Sequence, residues 1–285
     1  MKLLSLTIMM MLMGTAHAQI SLTQVNEFGE NPGNLKMYTY VPSKEIKGIV
    51  VLMHGCAQAA SDFDDEIGWT KMADKHGLAL LLPQQTELNN TGRCFNWFEM
   101  GDISRGRGEV ASIASMIDHV KMDLGSERVF ISGLSAGGAM SNIMLATYPE
   151  YFEAGAIVAG LPVGCATNLG NAWSCMSGFQ FPIPTTQQRG DAIRSAAGSF
   201  NGKWPRVMVV HGTSDEFVNY KNAGFIYEQW KNVHGSEDNV ELISLKGVRH
   251  GFPVDPRNGC GEAGKFVLDA GFCAAEAVAE FFLSK

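Results

Sequence analysis

Residues 127–140 read ERVFISGLSAGGAM, and their reading decides the architecture. The first half is a short apolar run ending at Gly133, as in a strand buried on both faces. The second half opens on small residues and continues as AMSNIMLATY, which is helix-like. Between them stands Gly133-Leu134-Ser135-Ala136-Gly137, a G-x-S-x-G sequence. A strand that turns at once into a helix strains the residue at the turn and pushes its side chain outward. Backbone crowds such a turn, so the flanking residues must be small, as Gly133, Ala136 and Gly137 are. The helix N-terminus behind it favours developing negative charge. Ser135 is therefore the candidate nucleophile, in preference to a Gly-rich turn of no chemical consequence.

Outward from this turn, strand-like runs recur: KGIVVLMHG (47–55), GLALLLP (77–83), AGAIVAG (154–160), RVMVVHG (206–212) and VELISLKG (240–247). Helical stretches are expected at 108–122, 136–147, 222–233 and 273–283. In the first of these, Val110, Ile113, Ala114, Ile117 and Val120 share one face. Strands alternating with helices predict an α/β protein, a mostly parallel central sheet with helices on both faces. The stretch 35–41 (LKMYTYV) alternates like an antiparallel edge strand. Residues 160–186, rich in Gly, Pro and Cys, read as a long loop at the rim of a site.

A Ser hydroxyl is a weak nucleophile until a base removes its proton. With this kind of turn the order along the chain is Ser, acid, His. His211, His234 and His250 follow Ser135. His211 closes a strand before Gly212 and reads as part of a structural turn; His234 ends an amphipathic helix and reads as surface. His250 lies in a loop after the last strand, GVRHGF (247–252), where the base belongs. The acid belongs in the loop after the penultimate strand, which reads HGTSDE (211–216). Asp215 is the candidate, with Glu216 a near rival and Asp255 a remote one; Thr-Ser-Asp would also serve as a helix-capping sequence. Acyl transfer further needs donors for an oxyanion. The backbone N–H of Ala136 is one candidate, and that of Cys56, in the loop after VVLMHG, is the other. The plainer reading of His54-Gly55 is a turn closing the strand. Glu109 and Arg105, near a helix start, read as structural capping and ion-pair residues.

The N-terminus carries Lys2, an apolar run at 3–13 and an A-x-A pattern at Ala16-His17-Ala18. This predicts a secretory signal peptide over 1–18 and one domain over 19–285. The apolar run is too short for a membrane anchor. The chain carries a net charge of −7, and loss of 1–18 would remove Lys2 and no acid. An acidic surface without basic clusters argues against nucleic acid and anionic membrane as partners. Six Cys, at 56, 94, 165, 175, 260 and 273, suggest disulfides in an exported chain. Short-range closure favours Cys165–Cys175 and Cys260–Cys273, leaving Cys56–Cys94, although six Cys allow many pairings. Their spacing does not suit zinc.

Several segments together resemble the esterase family that contains extracellular polyhydroxybutyrate depolymerases and related feruloyl and acetylxylan esterases. They are HGCAQ (54–58), CFNWF (94–98), RGRGEVASI (105–113), GLSAGGAM (133–140), GLPVGCA (160–166), HGTSDEFV (211–218), RHGFPVD (249–255) and the C-terminal CG…GFCAAEAVAEFF. The resemblance runs from about 37 to 283 and implies an α/β-hydrolase fold. It places the family's triad on Ser135, Asp215 and His250, and its oxyanion donors on Cys56 and Ala136. It implies a secreted serine esterase acting on a small ester or polyester, with no cofactor and no metal. Family members often carry Trp after the catalytic His, where this chain has Gly251-Phe252. Polymer-degrading members often append a linker and a substrate-binding domain. A chain ending at Lys285 leads us to expect soluble oligomers, amorphous polyester or small esters as substrates rather than crystalline polymer. Trp97, beside the loop of Cys56 if Cys56 pairs with Cys94, together with Trp173 and Phe252, would form an apolar rim for an acyl chain. The alternative for these aromatics, and more so for Phe98, is core packing. The competing functions are a feruloyl or acetylxylan esterase and, from another class, a catalytically silent binding protein that kept the fold.

Overall fold

Strand-length apolar runs separated by helices condense here into one eight-stranded sheet. The structure is a computed structural model that describes residues 22–63 and 66–284; the expected signal peptide at 1–18 lies outside them. In chain order the first elements are β1 (Thr23–Val25), β2 (Lys36–Tyr40), β3 (Gly48–Met53), α1 (Trp69–His76) and β4 (Leu78–Gln84). Then come α2 (Met100–Ile103), α3 (Gly108–Leu124), β5 (Val129–Leu134), α4 (Ala136–Thr147), β6 (Ala154–Val158), α5 (Leu169–Met176) and α6 (Thr186–Ala197). The last are β7 (Arg206–Gly212), α7 (Lys221–His234), β8 (Val240–Leu245), β9 (Phe252–Val254), β10 (Val267–Asp269) and α8 (Ala274–Leu283).

The strand order is β1-β2-β4-β3-β5-β6-β7-β8. Strands β3 to β8 run parallel, and β2 joins β4 antiparallel. The antiparallel strand expected at 35–41 is present, but it is not the edge: β1 pairs outside it, with Val25 opposite Met37. A three-residue strand of mixed polarity, TQV, carries too little pattern to be read from sequence.

Successive side chains of a strand point to opposite faces. Ile49, Val51 and Met53 therefore pack with α3, α4 and α7, whereas Val50 and Leu52 pack with α1 and α8. The expected face of α3, from Val110 to Val120, is buried in the first of these layers. In the second, Phe282 of α8 stacks on Phe130 of β5 with ring centroids 4.9 Å apart, and Trp69 of α1 stacks on Phe282 at 6.1 Å.

Segment 160–186, expected as a loop, contains α5 and runs into α6. Neither helix has a broad apolar stripe: α5 buries only Ala172 and Cys175, and α6 only Arg189, Gly190, Ile193 and Ala197. Capping boxes mark their starts instead, Asn168 with Asn171 and Thr185 with Gln188.

Candidate active site

The chain leaves β3 to form β4 on one side, then crosses to form β5 on the other. Strands β3 and β5 are adjacent and end together, with Met53 opposite Gly133. Such a reversal of strand order opens a crevice at the carboxyl ends of a parallel sheet. The loop at 54–58 and the turn at 134–136 emerge into it side by side.

Ser135 sits at φ 58°, ψ −118°, between β5 and α4. That is a strained conformation for an L-residue. It is held from both sides: the Ser135 N–H donates to Val158 O at 2.9 Å, and the Ala139 N–H donates to Ser135 O at 2.8 Å. A Cβ on Gly137 would meet Met53 O at 2.1 Å, and one on Gly133 would meet Gly137 C at 2.5 Å. No larger residue fits either place. Every residue from 129 to 149 is buried except Ser135, which alone reaches the surface.

The neighbouring loop is equally constrained. The Gly55 N–H donates to Gln58 Oε1 at 2.9 Å, the Ala57 N–H to Gly92 O at 2.8 Å, and the Gln58 N–H to Gly55 O at 3.3 Å. A disulfide joins Cys56 to Cys94. The Cys56 N–H takes no acceptor among the described residues and remains free for a ligand. The Ala136 N–H opens α4, where the first turn has no intrahelical acceptor. A Cβ built on Gly55 would lie 3.5 Å from Ser135 Cβ, so the two loops touch. Beneath them His54 is fully buried; its Nδ1–H donates to Gly55 O at 2.8 Å and its Nε2 accepts from the Gln85 N–H at 3.1 Å. Burial brings the His54 pKa down to about 4. His54 thus acts as a neutral strut of the loop.

Asp215 follows β7 and His250 follows β8. His250 Nδ1 lies 2.7 Å from Asp215 Oδ2. Facing a carboxylate, Nδ1 carries the hydrogen, which leaves Nε2 bare. Asp215 Oδ1 accepts from the N–H groups of Phe217 (2.9 Å) and Val218 (2.7 Å). Burial pushes this carboxyl up, but hydrogen bonds from His211, His250 and the Val218 backbone outweigh it and hold the group well below the usual carboxylate range. The rival Glu216 faces away, paired with Arg249 and accepting from the His250 N–H at 3.2 Å. Asp255 is likewise engaged elsewhere, with Asn258.

No hydrogen bond joins Ser135 Oγ to His250 in this structure; the two are connected through packed neighbours. Gln58, which holds Gly55, also donates to Lys265 O at 3.1 Å, and the ring of Phe266 lies 6.0 Å from that of His250. Segment 265–266 therefore bridges the loop beside Ser135 and the His250 ring.

Several expectations need correction. Phe252 is no rim residue: it is fully buried in β9, edge-on to Phe63 at 5.5 Å. Trp97 is buried at 5% exposure against Phe98, with centroids 5.3 Å apart, and belongs to the core layer under α3. Trp173 stands 72% exposed on α5. The aromatics beside His250 are instead Phe217 and Phe266, whose rings lie 5.3 and 6.0 Å from it. Glu109 makes no ion pair among the described residues. It is buried, accepts from Gln85 Nε2 and from the Asn96 N–H, and burial raises its pKa to about 8. Arg105 pairs with Glu150. His234 is half-buried, hydrogen-bonded to Pro205 O at 3.1 Å. His211 is more than a turn residue, since its Nε2 lies 3.1 Å from Asp215 Oδ2. The two cysteine pairs read from short spacing form, as does the third pair that they leave.

A serine on a strained strand-to-helix turn, beside two free N–H groups and an Asp–His pair, at the carboxyl edge of this sheet, has the layout of a carboxylic ester hydrolase of the α/β-hydrolase fold. Known proteins agree. Poly(3-hydroxyalkanoate) depolymerase C of Paucimonas lemoignei is 38% identical, covering 92% of this chain and 70% of its own. An acetylxylan esterase of Coprinopsis cinerea is 34% identical over 81% of this chain, which spans 63% of that protein's length. The solved acetyl xylan esterase of Aspergillus awamori superposes with a TM-score of 0.73 at 27% identity, covering 81% of this chain and 94% of its own. The model of the Esterase PHB depolymerase family matches residues 37–246, and the chain belongs to that family.

Proposed function

We propose that this protein is a secreted serine esterase that cleaves esters through Ser135, His250 and Asp215, with poly(3-hydroxybutyrate)-type polyester or its oligomers as substrate. The observation that carries the reading is the 2.7 Å Asp215–His250 contact at the same sheet edge as the strained, surface-reaching Ser135. His250 Nε2 takes the Ser135 proton as Oγ attacks the ester carbonyl. The N–H groups of Cys56 and Ala136 hold the tetrahedral oxyanion. His250 returns the proton to the departing alkoxide, and water then repeats the cycle on the acyl-enzyme. Asp215 fixes the tautomer and stabilises the imidazolium. Bonds of this kind tighten when substrate binds, so a free enzyme need not already hold Ser135 against His250.

The polyester reading draws on the 38% identity to a protein named as a poly(3-hydroxyalkanoate) depolymerase. The acetylxylan esterase superposition at TM-score 0.73 favours a second reading, removal of acetyl or feruloyl groups from plant polysaccharide. Export, as one catalytic domain over 19–285 behind a signal peptide, is supported by the A-x-A pattern and by three disulfides. Rates on 3-hydroxybutyrate oligomers, feruloyl methyl ester and acetylated xylan separate the readings. The first substrate should exceed the others by at least about tenfold in kcat/KM, a margin that binding differences of about 1.4 kcal/mol supply. The reverse order would transfer the assignment to the polysaccharide esterases.

A further inference from the structure

A second histidine shares the acid. His211, the penultimate residue of β7, is 1% exposed. Its Nε2 lies 3.1 Å from Asp215 Oδ2, the same oxygen that His250 Nδ1 approaches at 2.7 Å. The same Nε2 lies 2.9 Å from Val218 O. Two acceptors face one ring nitrogen, so Nε2 carries the hydrogen. The other nitrogen, Nδ1, is buried without a partner among the described residues. The ring is oriented by Tyr220, edge-on at 5.8 Å, whose hydroxyl bonds Ser244 Oγ.

We infer that His211 is a positioning residue for this reaction: it clamps Asp215 Oδ2 and the 215–218 loop so that the carboxylate meets His250 in one orientation. The inference rests on the Ser135–His250–Asp215 reading. A carboxylate on a loop can rotate about its terminal bond. The N–H groups of Phe217 and Val218 fix Oδ1, and His211 approaches Oδ2 from the side of β7. Val218 both donates to Oδ1 and accepts from His211, so the imidazole closes a ring of hydrogen bonds around the acid. His211 itself, at 1% exposure, lies too deep to meet substrate. His211 acts through Asp215, by sharing its charge and by holding its place.

That sharing gives a readout which mere structural support would lack. With the His211 donor removed, more of the carboxylate charge falls on His250, which then holds its proton more tightly. The other charged or titratable groups about the pair are Glu216, Arg249 and Tyr220, and all stay unchanged in the test. His211→Phe fills the volume of the ring without a donor; His211→Gln replaces the donor near the same place.

The experiment measures kcat, KM and the pH dependence of kcat/KM on p-nitrophenyl butyrate for the oxidised protein and both variants, with thermal melts to establish folding. Expected for His211→Phe is a loss in kcat of roughly 10- to 100-fold with KM little changed, since a misplacement of about 1 Å costs on that order. The acid limb of its kcat/KM profile should move to higher pH. His211→Gln should recover kcat to within about threefold and return the limb towards its original position. A folded His211→Phe protein with unchanged kcat and limb would overturn the inference. So would a His211→Gln protein that folds but fails to recover activity. If His211→Phe does not fold, His211→Gln alone decides, and an unrestored acid limb or a kcat loss beyond about tenfold counts against. Ser135→Ala, assayed alongside, separates the layers: if it stays active the triad reading itself fails, and if it is dead while His211→Phe is normal only the present inference fails.

Discussion

The paired loops leaving β3 and β5, of which the first carries one end of a disulfide, and the segment 160–186, which carries both ends of another, treat their side chains in opposite ways. Around Ser135, Gly133 and Gly137 stand against carbonyl groups with no room for a Cβ, and the amides of Gly55, Ala57 and Gln58 are all committed. In the other segment, Cys165 pairs with Cys175 across the start of α5, while Leu169, Trp173, Phe179, Phe181 and Ile183 are exposed. The first region fixes positions through backbone, so substitution there disturbs the chemistry. The second displays apolar side chains on a stapled scaffold, so substitution there changes what is met at the surface at little cost to the fold.

Four substitutions probe the wider division between side chains held inside the fold and side chains displayed at its surface. The largest effect belongs to Asp215→Asn, which keeps the shape but offers His250 the wrong hydrogen-bonding partner. It should lower kcat about 10³- to 10⁴-fold with little change in melting temperature. A loss below tenfold would remove Asp215 from the chemistry. Next, Phe252→Ala should cost about 3–5 kcal/mol in denaturant unfolding, the penalty of emptying a buried aromatic site. A stable variant with raised KM would return Phe252 to the rim.

A third effect depends on pH. Glu109 has its pKa raised to about 8 by burial, against 4.5 as its ordinary value. The unfolded chain releases that proton first, so the native state loses stability as pH rises from 4.5 towards 8. Glu109→Gln should escape this loss and gain on the parent by a few kcal/mol at most, on the order of 2, between pH 5 and 8. Parallel stability curves for the two proteins would contradict it. His54 acts in the other direction, since its lowered pKa, about 4 against 6.5, costs stability as pH falls between those values. The smallest effect is that of Trp173→Ala, whose side chain is largely exposed. Its melting temperature should stay within about 2 °C, while KM for 3-hydroxybutyrate oligomers rises about two- to fivefold at unchanged kcat. A several-degree drop in melting temperature would make Trp173 a packing residue instead.

The same division explains what could be read in the sequence. Buried parallel strands must be continuous apolar runs, and a nucleophile turn must be flanked by Gly, so 47–55, 127–138 and 206–212 announced themselves. The strand-to-helix turn at Ser135 and the meeting of Asp215 with His250 were legible because order along the chain reflects the order of strands. Rim residues were not. Trp97 and Phe252 have the composition of a binding cleft, and only tertiary packing assigns them to the core. Phe217 and Phe266 reach His250 from two separate loops, a proximity that no local pattern encodes. The helix at 186–197 hides in a largely polar sequence, and the one at 169–176 is short and turns Leu169 and Trp173 to solvent, so neither shows a buried apolar stripe; only their capping boxes mark them. His211 was visible as a strand-end histidine, but its approach to Asp215 depends on how the turn between them closes.

The most direct test of the central claim is hydrolysis of p-nitrophenyl butyrate by the oxidised protein beside its Ser135→Ala variant, both shown to be folded by circular dichroism. The account predicts a loss of at least about 10⁴-fold in the variant, together with labelling of the parent at Ser135 by a fluorophosphonate probe. Activity retained by Ser135→Ala, or a label carried on another residue, would contradict it.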